Sequence, residues 1–332
     1  MRQQTNQYWL TQTCRLILIV VGFVALLATV VLGQSAQPSH YAPAAEVQTS
    51  TPPHPRNVDA PLVINTDLVS VTVSVTDRDG RHVSGLDKND FTVHDDKLPQ
   101  EIKFFSDEDT PVSLAVIFDT SNSMSGAKIE RARDALASFV KSTHREDEYF
   151  LISFSDRAQL LMDRTKDPDA MLAKFTYVQP RGETALYDAT YLGIEKVARG
   201  SRGRRAILLI TDGNDSCSLY SFKELRRSLQ ESEVVLYAIG ILDFPLREAR
   251  IGRSTLEELA SVTGGKAFFP KGRAEMTEAF EHIALDLRSQ YSIGYRPTDL
   301  MGVRRWHQIR ISVIASDKLR LRVRNREGFY GP

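Results

Sequence analysis

Three oxygen-bearing side chains, Asp119, Ser121 and Ser123, lie at alternate positions just after an apolar run of strand length. A helical pattern begins at about residue 127, so the three side chains are expected on a strand-to-helix turn. Open α/β sheets bind ligands at that end of their strands, and the first-turn amides of the next helix add positive potential there. One carboxylate and two hydroxyls are hard oxygen donors, which suit Mg²⁺.

Two further segments carry residues that would complete this set. Thr184 stands in a loop before another helical pattern, and Asp212 ends the buried apolar run 206–211. Because neighbouring parallel strands end at the same edge of a sheet, Asp119 and Asp212 should converge, with Thr184 reaching in from an adjacent loop. The simpler alternative is that the serines only cap the next helix, which leaves Thr184 and Asp212 unexplained.

The elements that position these residues alternate between strand and helix. Apolar runs of strand length occur at 112–118, 149–154, 206–211 and 234–241, with shorter ones at 158–162 and 266–269. Helical patterns follow at 127–140, 185–197, 222–229, 254–261 and 275–287. Such alternation predicts an α/β fold with a doubly wound, mostly parallel sheet covered on both faces.

The flanks of this region read as strands. Residues 62–105 alternate apolar with polar side chains, with turn signals at Asp79-Gly80 and near Asp96-Lys97, so a meander is expected. After residue 287 the same alternation returns at 291–295, 308–314 and 319–324. Each set is small to stand alone. We therefore expect one small antiparallel β-sandwich with the α/β domain inserted in it, and two separate β-extensions are the alternative.

The N-terminus has the residue pattern of an export signal. Residues 16–32 contain no charge and follow Arg15, and small residues come next, which is typical of a secretory signal peptide in residues 1–36. The run is also close to the length of a membrane-spanning helix, so an uncleaved anchor is the alternative. Residues 37–60 are rich in Pro, Ser, Ala and Thr and are expected to form a flexible linker. The protein is expected to be periplasmic, cell-surface or secreted.

Composition excludes some functions. The 42 basic and 42 acidic residues balance, so no global field favours nucleic acid, and contact with a membrane is expected only through the N-terminal segment.

Cys14 and Cys217 cannot pair once the N-terminus is removed. The seven histidines lack metal-ligand spacing. Asp163, Asp167 and Asp169 lack the glycine and glutamate of a calcium loop, and we interpret them as turn residues.

The pattern resembles the von Willebrand factor A (VWA) domain family. Its metal-ion-dependent adhesion site (MIDAS) is written Asp-x-Ser-x-Ser, then Thr, then Asp-Gly, and this chain has Asp119-Thr-Ser121-Asn-Ser123, Thr184 and Asp212-Gly213. The resemblance implies a VWA domain at 110–287 with β-segments at 61–109 and 288–332. Segments 75–93 and 326–330 also resemble a group of exported bacterial proteins related to this domain.

The resemblance implies a binding function. The hydroxyls of Ser121, Ser123 and Thr184 would coordinate Mg²⁺, with Mn²⁺ or Ca²⁺ as alternatives, and Asp119 and Asp212 would act partly through water. A protein ligand would then supply an Asp or Glu carboxylate to complete the shell. The expected function is therefore non-enzymatic, metal-dependent protein binding and adhesion.

Two other functions compete with this interpretation. A Mg²⁺-dependent phosphohydrolase would also place an acid at a strand end. It also needs a second acid and a basic residue for the phosphate, and the pattern around Asp119 does not provide them. The second alternative is a VWA subunit that assists an ATPase in the cytoplasm. The predicted export signal argues against this alternative.

Overall fold

The computed structural model describes residues 68–176, 178–242, 247–298, 305–314 and 321–331. The strands are β1 (Val69–Thr76), β2 (Phe91–Asp95), β3 (Leu98–Gln100), β4 (Ile102–Ser106), β5 (Val112–Asp119), β6 (Glu148–Phe154), β7 (Ala158–Thr165), β8 (Arg204–Thr211), β9 (Val234–Gly240), β10 (Lys266–Phe268), β11 (Tyr291–Tyr295), β12 (Trp306–Val313), β13 (Arg322–Arg324) and β14 (Gly328–Tyr330). The helices are α1 (Ala127–Ser142), α2 (Pro168–Thr176), α3 (Leu186–Ala198), α4 (Phe222–Glu231), α5 (Arg247–Val262) and α6 (Arg273–Arg288).

A six-stranded sheet in the order β10-β9-β8-β5-β6-β7 positions the predicted site. All its pairings are parallel except that of β6 with β7. Every residue of β5 is buried, because alternate side chains enter two different cores. Leu114 and Val116 pack on one face of the sheet, while Ala115 and Ile117 pack on the other. This explains why β5 reads as a continuous apolar run.

Helices cover both faces of this sheet. On one face lie α1, α2 and α6, which bury Leu136, Phe175 and Phe280 against it. On the other lie α3, α4 and α5, whose contributions include Leu225 and Leu256. The predicted fold class is confirmed: the protein has a mostly parallel α/β sheet together with antiparallel sheets.

The antiparallel strands form two four-stranded sheets, in the orders β13-β1-β11-β4 and β14-β12-β2-β3. Strands from before and after the α/β region pair within each sheet, for example Val71 opposite Ile293 and Val93 opposite Ile311. These side chains share one apolar core, so the sheets form a sandwich. The exact domain boundaries drawn from the sequence stay predictions.

The prediction that the strands before residue 106 form a meander is wrong, although the predicted turns are present. Strands β1 and β4 belong to one sheet and β2 and β3 to the other. Of these four strands, only β2 and β3 pair with each other in a hairpin, and Asp96 and Lys97 at its turn have φ angles of 48° and 72°, as a tight hairpin turn requires. A period-two pattern specifies which face of a strand is buried, but it does not specify the neighbouring strand.

One helix was not anticipated. Asp167, interpreted as a turn residue, accepts a hydrogen bond from the Ala170 amide at 3.0 Å and caps α2. The dipeptide Asp167-Pro168 is a helix-start signal, since Asp caps well and proline suits the first helical position. Helix α5 also begins earlier than the predicted residue 254, because Ala249 and Gly252 extend its buried face.

The predictions for residues 1–36 and 37–60, and for the first residues of the segment 61–109, lie outside the described residues. Within the described ranges, the helices are all too short or too polar to cross a bilayer.

A buried carboxylate joins the last helix of the α/β region to the sandwich. Asp286 of α6 is 3% exposed. Its Oδ1 accepts a hydrogen bond from Ser74 Oγ on β1 at 2.5 Å, and its Oδ2 accepts one from Arg324 Nη2 on β13 at 2.7 Å. A buried charge is tolerated when it is paired and hydrogen-bonded in this way.

We expect Asp286→Ala to lower the free energy of unfolding by about 3 kcal/mol, because it leaves the half-buried Arg324 guanidinium without its counter-charge. Urea denaturation would measure the change. Asp134→Ala, which removes the exposed carboxylate paired with Arg273, is the matched control and should change little. Equal losses in the two variants would contradict this role for Asp286.

Candidate metal centre

Asp119 stands at the carboxyl end of β5 with its side chain fully buried. Thr211 Oγ1 donates to its Oδ2 at 2.6 Å, and the Ser121 amide donates to its Oδ1 at 2.8 Å. Burial raises the pKa of Asp119 from its ordinary 3.8 to about 6, and the nearby Asp212 carboxylate adds to the shift, while the hydrogen bonds oppose it. The acid is therefore held without a positive partner among the described side chains that contact it.

Ser121 directly precedes a short 3₁₀ turn, Asn122–Met124, and Ser123 lies within it. Their hydroxyl oxygens lie 2.9 Å apart, and Ser121 is buried while Ser123 is exposed. Neither serine caps α1, whose N-cap is Gly126, and Ser121 makes no capping bond to the 3₁₀ turn. The capping explanation for these serines is therefore wrong. The Ser121 hydroxyl is a hydrogen-bond partner of the buried Asp119, and Ser123 is linked to it through Ser121.

Asp212 follows the last residue of β8, the strand adjacent to β5. It is 8% exposed, and its Oδ1 lies 3.3 Å from the Asn214 amide that donates to it. Gly213 has a φ angle of 83°, which favours glycine. Helix α5 packs on this turn so closely that a Cβ at Gly252 would lie 2.3 Å from the Asp212 carbonyl oxygen. Backbone contact thus fixes the position of the Asp212 turn.

Thr184 lies in a loop that bonds to both other loops. The Arg181 amide donates to the Thr120 carbonyl at 2.8 Å, and the Asn122 amide donates to the Gly182 carbonyl at 3.1 Å. On its other side, the Ser216 amide donates to the Thr184 carbonyl at 2.9 Å. The three loops that carry the predicted residues are therefore direct neighbours at one sheet edge, and Thr184 itself is 7% exposed.

Sequence reasoning missed the residues that brace this arrangement. Thr211 holds Asp119 and also accepts a hydrogen bond from the Gly213 amide at 3.1 Å. Asp156 accepts one from the Glu183 amide at 2.7 Å and lies against Gly182, where a Cβ would come within 2.5 Å of its carboxylate. The signals were present, since Thr211 directly precedes Asp212 and Asp156 follows the strand β6. Only the folded chain shows what these side chains contact.

The donor set fits a small divalent cation. It consists of oxygen atoms alone, which Mg²⁺ prefers. The carboxylates of Asp119 and Asp212 repel each other, and this repulsion contributes to the raised pKa of Asp119. A cation between them would relieve the repulsion and favour the ionised acid. The residues present are therefore compatible with the metal that the family resemblance implies.

A second group of candidate metal ligands, Asp95, Asp96 and His307, is satisfied from within the protein. His307 Nδ1 lies 3.1 Å from Asp95 Oδ1, and Tyr295 Oη donates to Asp95 Oδ2 at 3.1 Å. Arg305 donates to Asp96 at 2.8 Å. These contacts tie strands of the sandwich together and give the group a structural role.

Asp215 and Cys217 beside the site also have structural surroundings. Asp215 Oδ1 accepts from the Tyr187 amide at 3.2 Å and from Ser218 Oγ at 2.5 Å, so it anchors the loop to the start of α3. Cys217 is a free, half-buried thiol, and burial raises its pKa.

Residues 114–214 match the model of the von Willebrand factor type A domain. The chain contains a von Willebrand factor A domain. All five residues of the predicted metal site lie in the matched range.

Relatives of this VWA domain occur in bacteria and animals. An uncharacterized Synechocystis protein, sll0103, is 23% identical over 186 residues, which cover 53% of this chain and 42% of that protein. The mouse inter-alpha-trypsin inhibitor heavy chain 4 is 28% identical over 181 residues, covering 50% of this chain and 19% of its own. The chain thus spans less than half the length of either relative.

Solved structures of VWA domains are similar at low identity. The vWF domain of the Porphyromonas gingivalis pilus tip protein Mfa5 is 14% identical with a TM-score of 0.44, covering 53% of this chain and 94% of that one. A von Willebrand factor type A protein from Catenulispora acidiphila is 13% identical with a TM-score of 0.47, covering 68% and 69%.

Without metal, Asp119 should make the protein less stable as the pH rises from about 4 to about 6. Its folded-state pKa exceeds the unfolded value of 3.8, so the stability present below pH 3.8 is lost as the pH rises through about 6. The total loss should be about 3 kcal/mol. Urea denaturation in EDTA across this range should show it in the wild type and not in Asp119→Asn, which cannot ionise. Parallel pH curves for the two proteins would exclude this assignment.

Proposed function

We propose that this chain is an exported, non-enzymatic binding module whose VWA domain captures a protein partner through a divalent cation. Ser121, Ser123 and Thr184 would hold Mg²⁺ through their hydroxyls, and Asp119 and Asp212 would support it partly through bound water. The single observation that carries the proposal is the hydrogen-bonded convergence of three loops around the buried Asp119. The bound cation would supply a positive centre that attracts a partner's Asp or Glu carboxylate.

The chain's own residues keep such a cation available to a partner. Thr211 and the Ser121 amide hold Asp119 in place, so this carboxylate is oriented before any ligand arrives. Ser123 is exposed, which leaves one side of the donor set open to solvent. A site with few directly bound carboxylates keeps the metal electrophilic, and a partner carboxylate then completes the shell without any turnover.

The export part of the proposal rests on the sequence alone. The apolar run 16–32 after Arg15 and the linker 37–60 would carry the folded region out of the cytoplasm, with the run either cleaved or kept as an anchor. Fractionation of cells that express the full chain tests this directly. Recovery in the cytosolic fraction would instead favour a subunit that assists an ATPase.

Mg²⁺ should raise the melting temperature of the wild-type protein, by the equivalent of about 2.7 kcal/mol at one hundred times its Kd. Asp119→Ala and the double variant Ser121→Ala/Ser123→Ala should lose this shift while keeping the fold. Asp134→Ala/Ser138→Ala, which removes one carboxylate and one hydroxyl from the exposed face of α1, is the control and should keep this shift. Calorimetric titration with Mg²⁺ gives the affinity.

Capture from a native extract on the immobilised protein should require Mg²⁺ and stop in EDTA. The Asp119→Ala and serine variants should capture nothing in Mg²⁺. Undiminished capture by these variants, or by the wild type in chelator, would contradict the proposal. Steady hydrolysis of p-nitrophenyl phosphate that Asp119→Asn abolishes would instead support the phosphohydrolase.

A further inference from the structure

A groove of about 310 Å³ opens beside the Asp119 loop. One wall is formed by the end of β6 and the start of β7, and the other by the segment 178–181. Its lining includes Thr120, Ser153, Arg157, Gln159, Leu161 and Arg181. We call it the Arg157–Arg181 groove. The volume is at the lower end of that of ligand pockets and is enough for an amino-acid side chain of a bound segment.

The groove is part of the same framework as the candidate metal centre. Thr120 lies between Asp119 and Ser121, and its carbonyl accepts the hydrogen bond from the Arg181 amide at 2.8 Å. Both its amide and its hydroxyl donate to the Phe154 carbonyl, each at 2.8 Å. The distance between the groove and the Asp119 loop is therefore fixed by hydrogen bonds to the backbone.

The two arginines of the groove carry positive charge that the described residues do not neutralise. Both side chains are exposed, and within the described ranges neither guanidinium has an ion pair or a side-chain hydrogen bond. Elsewhere guanidinium groups are used in the fold: Arg202 binds the Glu146 carbonyl at 2.6 Å, and Arg226 pairs with Glu258 at 2.9 Å. A guanidinium offers five donors in a planar fork that matches a carboxylate.

The acidic groups beside the groove do not face these arginines as partners. Asp156 precedes Arg157 in the chain, but its Oδ1 accepts from the Glu183 amide at 2.7 Å and it packs on Gly182. No ion pair joins Asp156 or Glu183 to either arginine in the part of the chain that the structure describes. The groove is thus locally positive at a sheet edge whose loops are otherwise rich in acid.

We propose that the Arg157–Arg181 groove binds a second carboxylate of the same protein partner, so that the ligand is an acidic segment with two Asp or Glu residues at a set spacing. This inference rests on the proposed function, which supplies the first carboxylate at the metal. The fixed geometry between the groove and the Asp119 loop sets the spacing. Two anchors on one segment also give selectivity, because a ligand with a single acid gains only one of the two contacts.

A peptide library displayed on phage and selected on the immobilised full chain tests this inference. Selection in Mg²⁺ should enrich peptides with acidic residues at two positions of constant separation, and EDTA should abolish the enrichment. In the double variant Arg157→Gln/Arg181→Gln, enrichment at one of the two positions should fall by at least about tenfold, as loss of one charged contact implies. Enrichment at the other position should remain.

Two further variants and one further measurement complete the design. Arg78→Gln removes an exposed arginine of the sandwich that has no ion pair among the described residues, and it should select the same peptides as the wild type. The arginine double variant should keep the Mg²⁺-dependent rise in melting temperature. This result would show that its candidate metal centre is intact. Asp119→Ala should lose both acidic positions.

The outcomes separate the two proposals. Wild-type peptides with one acidic position, or two positions that survive in the arginine double variant, would overturn the second anchor and leave the metal-dependent module standing. No Mg²⁺-dependent enrichment in the wild type would overturn both.

Discussion

The structure depends on one carboxylate, that of Asp119, which is held out of water at the end of a completely buried strand. An isolated buried charge is costly, and the protein offsets part of this cost with the Thr211 hydroxyl and the Ser121 amide. The two donors come from different strand ends, so satisfying Asp119 draws β5 and β8 and their loops together. The burial that remains uncompensated keeps the pKa of Asp119 at about 6. A carboxylate held in this way would be stabilised in its ionised form by a nearby cation.

The loops around Asp119 are held against one another by backbone hydrogen bonds. The segment with Thr184 bonds to the Asp119 loop through Arg181 and to the Asp212 loop through Ser216. The turn after Asp212 packs directly on the backbone of α5 because Gly252 has no side chain. Preorganisation of this kind lowers the entropy lost on binding, which would suit the proposed binding function.

The sandwich is joined to the α/β region through polar contacts as well as through the chain. Asp286 at the end of α6 binds Ser74 and Arg324, which lie on strands from the two ends of the described region. Asp286 resembles Asp119 in this respect, since both buried carboxylates accept hydrogen bonds from segments that are distant in sequence. Here an arginine supplies the positive charge, and the acid is therefore structural.

Sequence patterns were enough to predict the alternation of strands and helices, the mostly parallel sheet, and the loops on which Asp119, Thr184 and Asp212 lie. These follow from local signals: continuous apolar runs for strands buried on both faces, the 3.6-residue period for covering helices, and turn residues between them. The short helix α2 was not predicted, because nine residues show little periodicity. The dipeptide Asp167-Pro168 nevertheless marks its start.

The division of the flanking strands between two sheets is visible only in the folded protein, since a period-two pattern specifies a buried face and not a neighbour. The folded protein also shows that Thr211 holds Asp119, that the serines do not cap α1, and that Arg157 and Arg181 share a groove beside the Asp119 loop. Each of these facts is a contact between side chains or loops far apart in the chain, and such contacts depend on packing that local sequence does not encode.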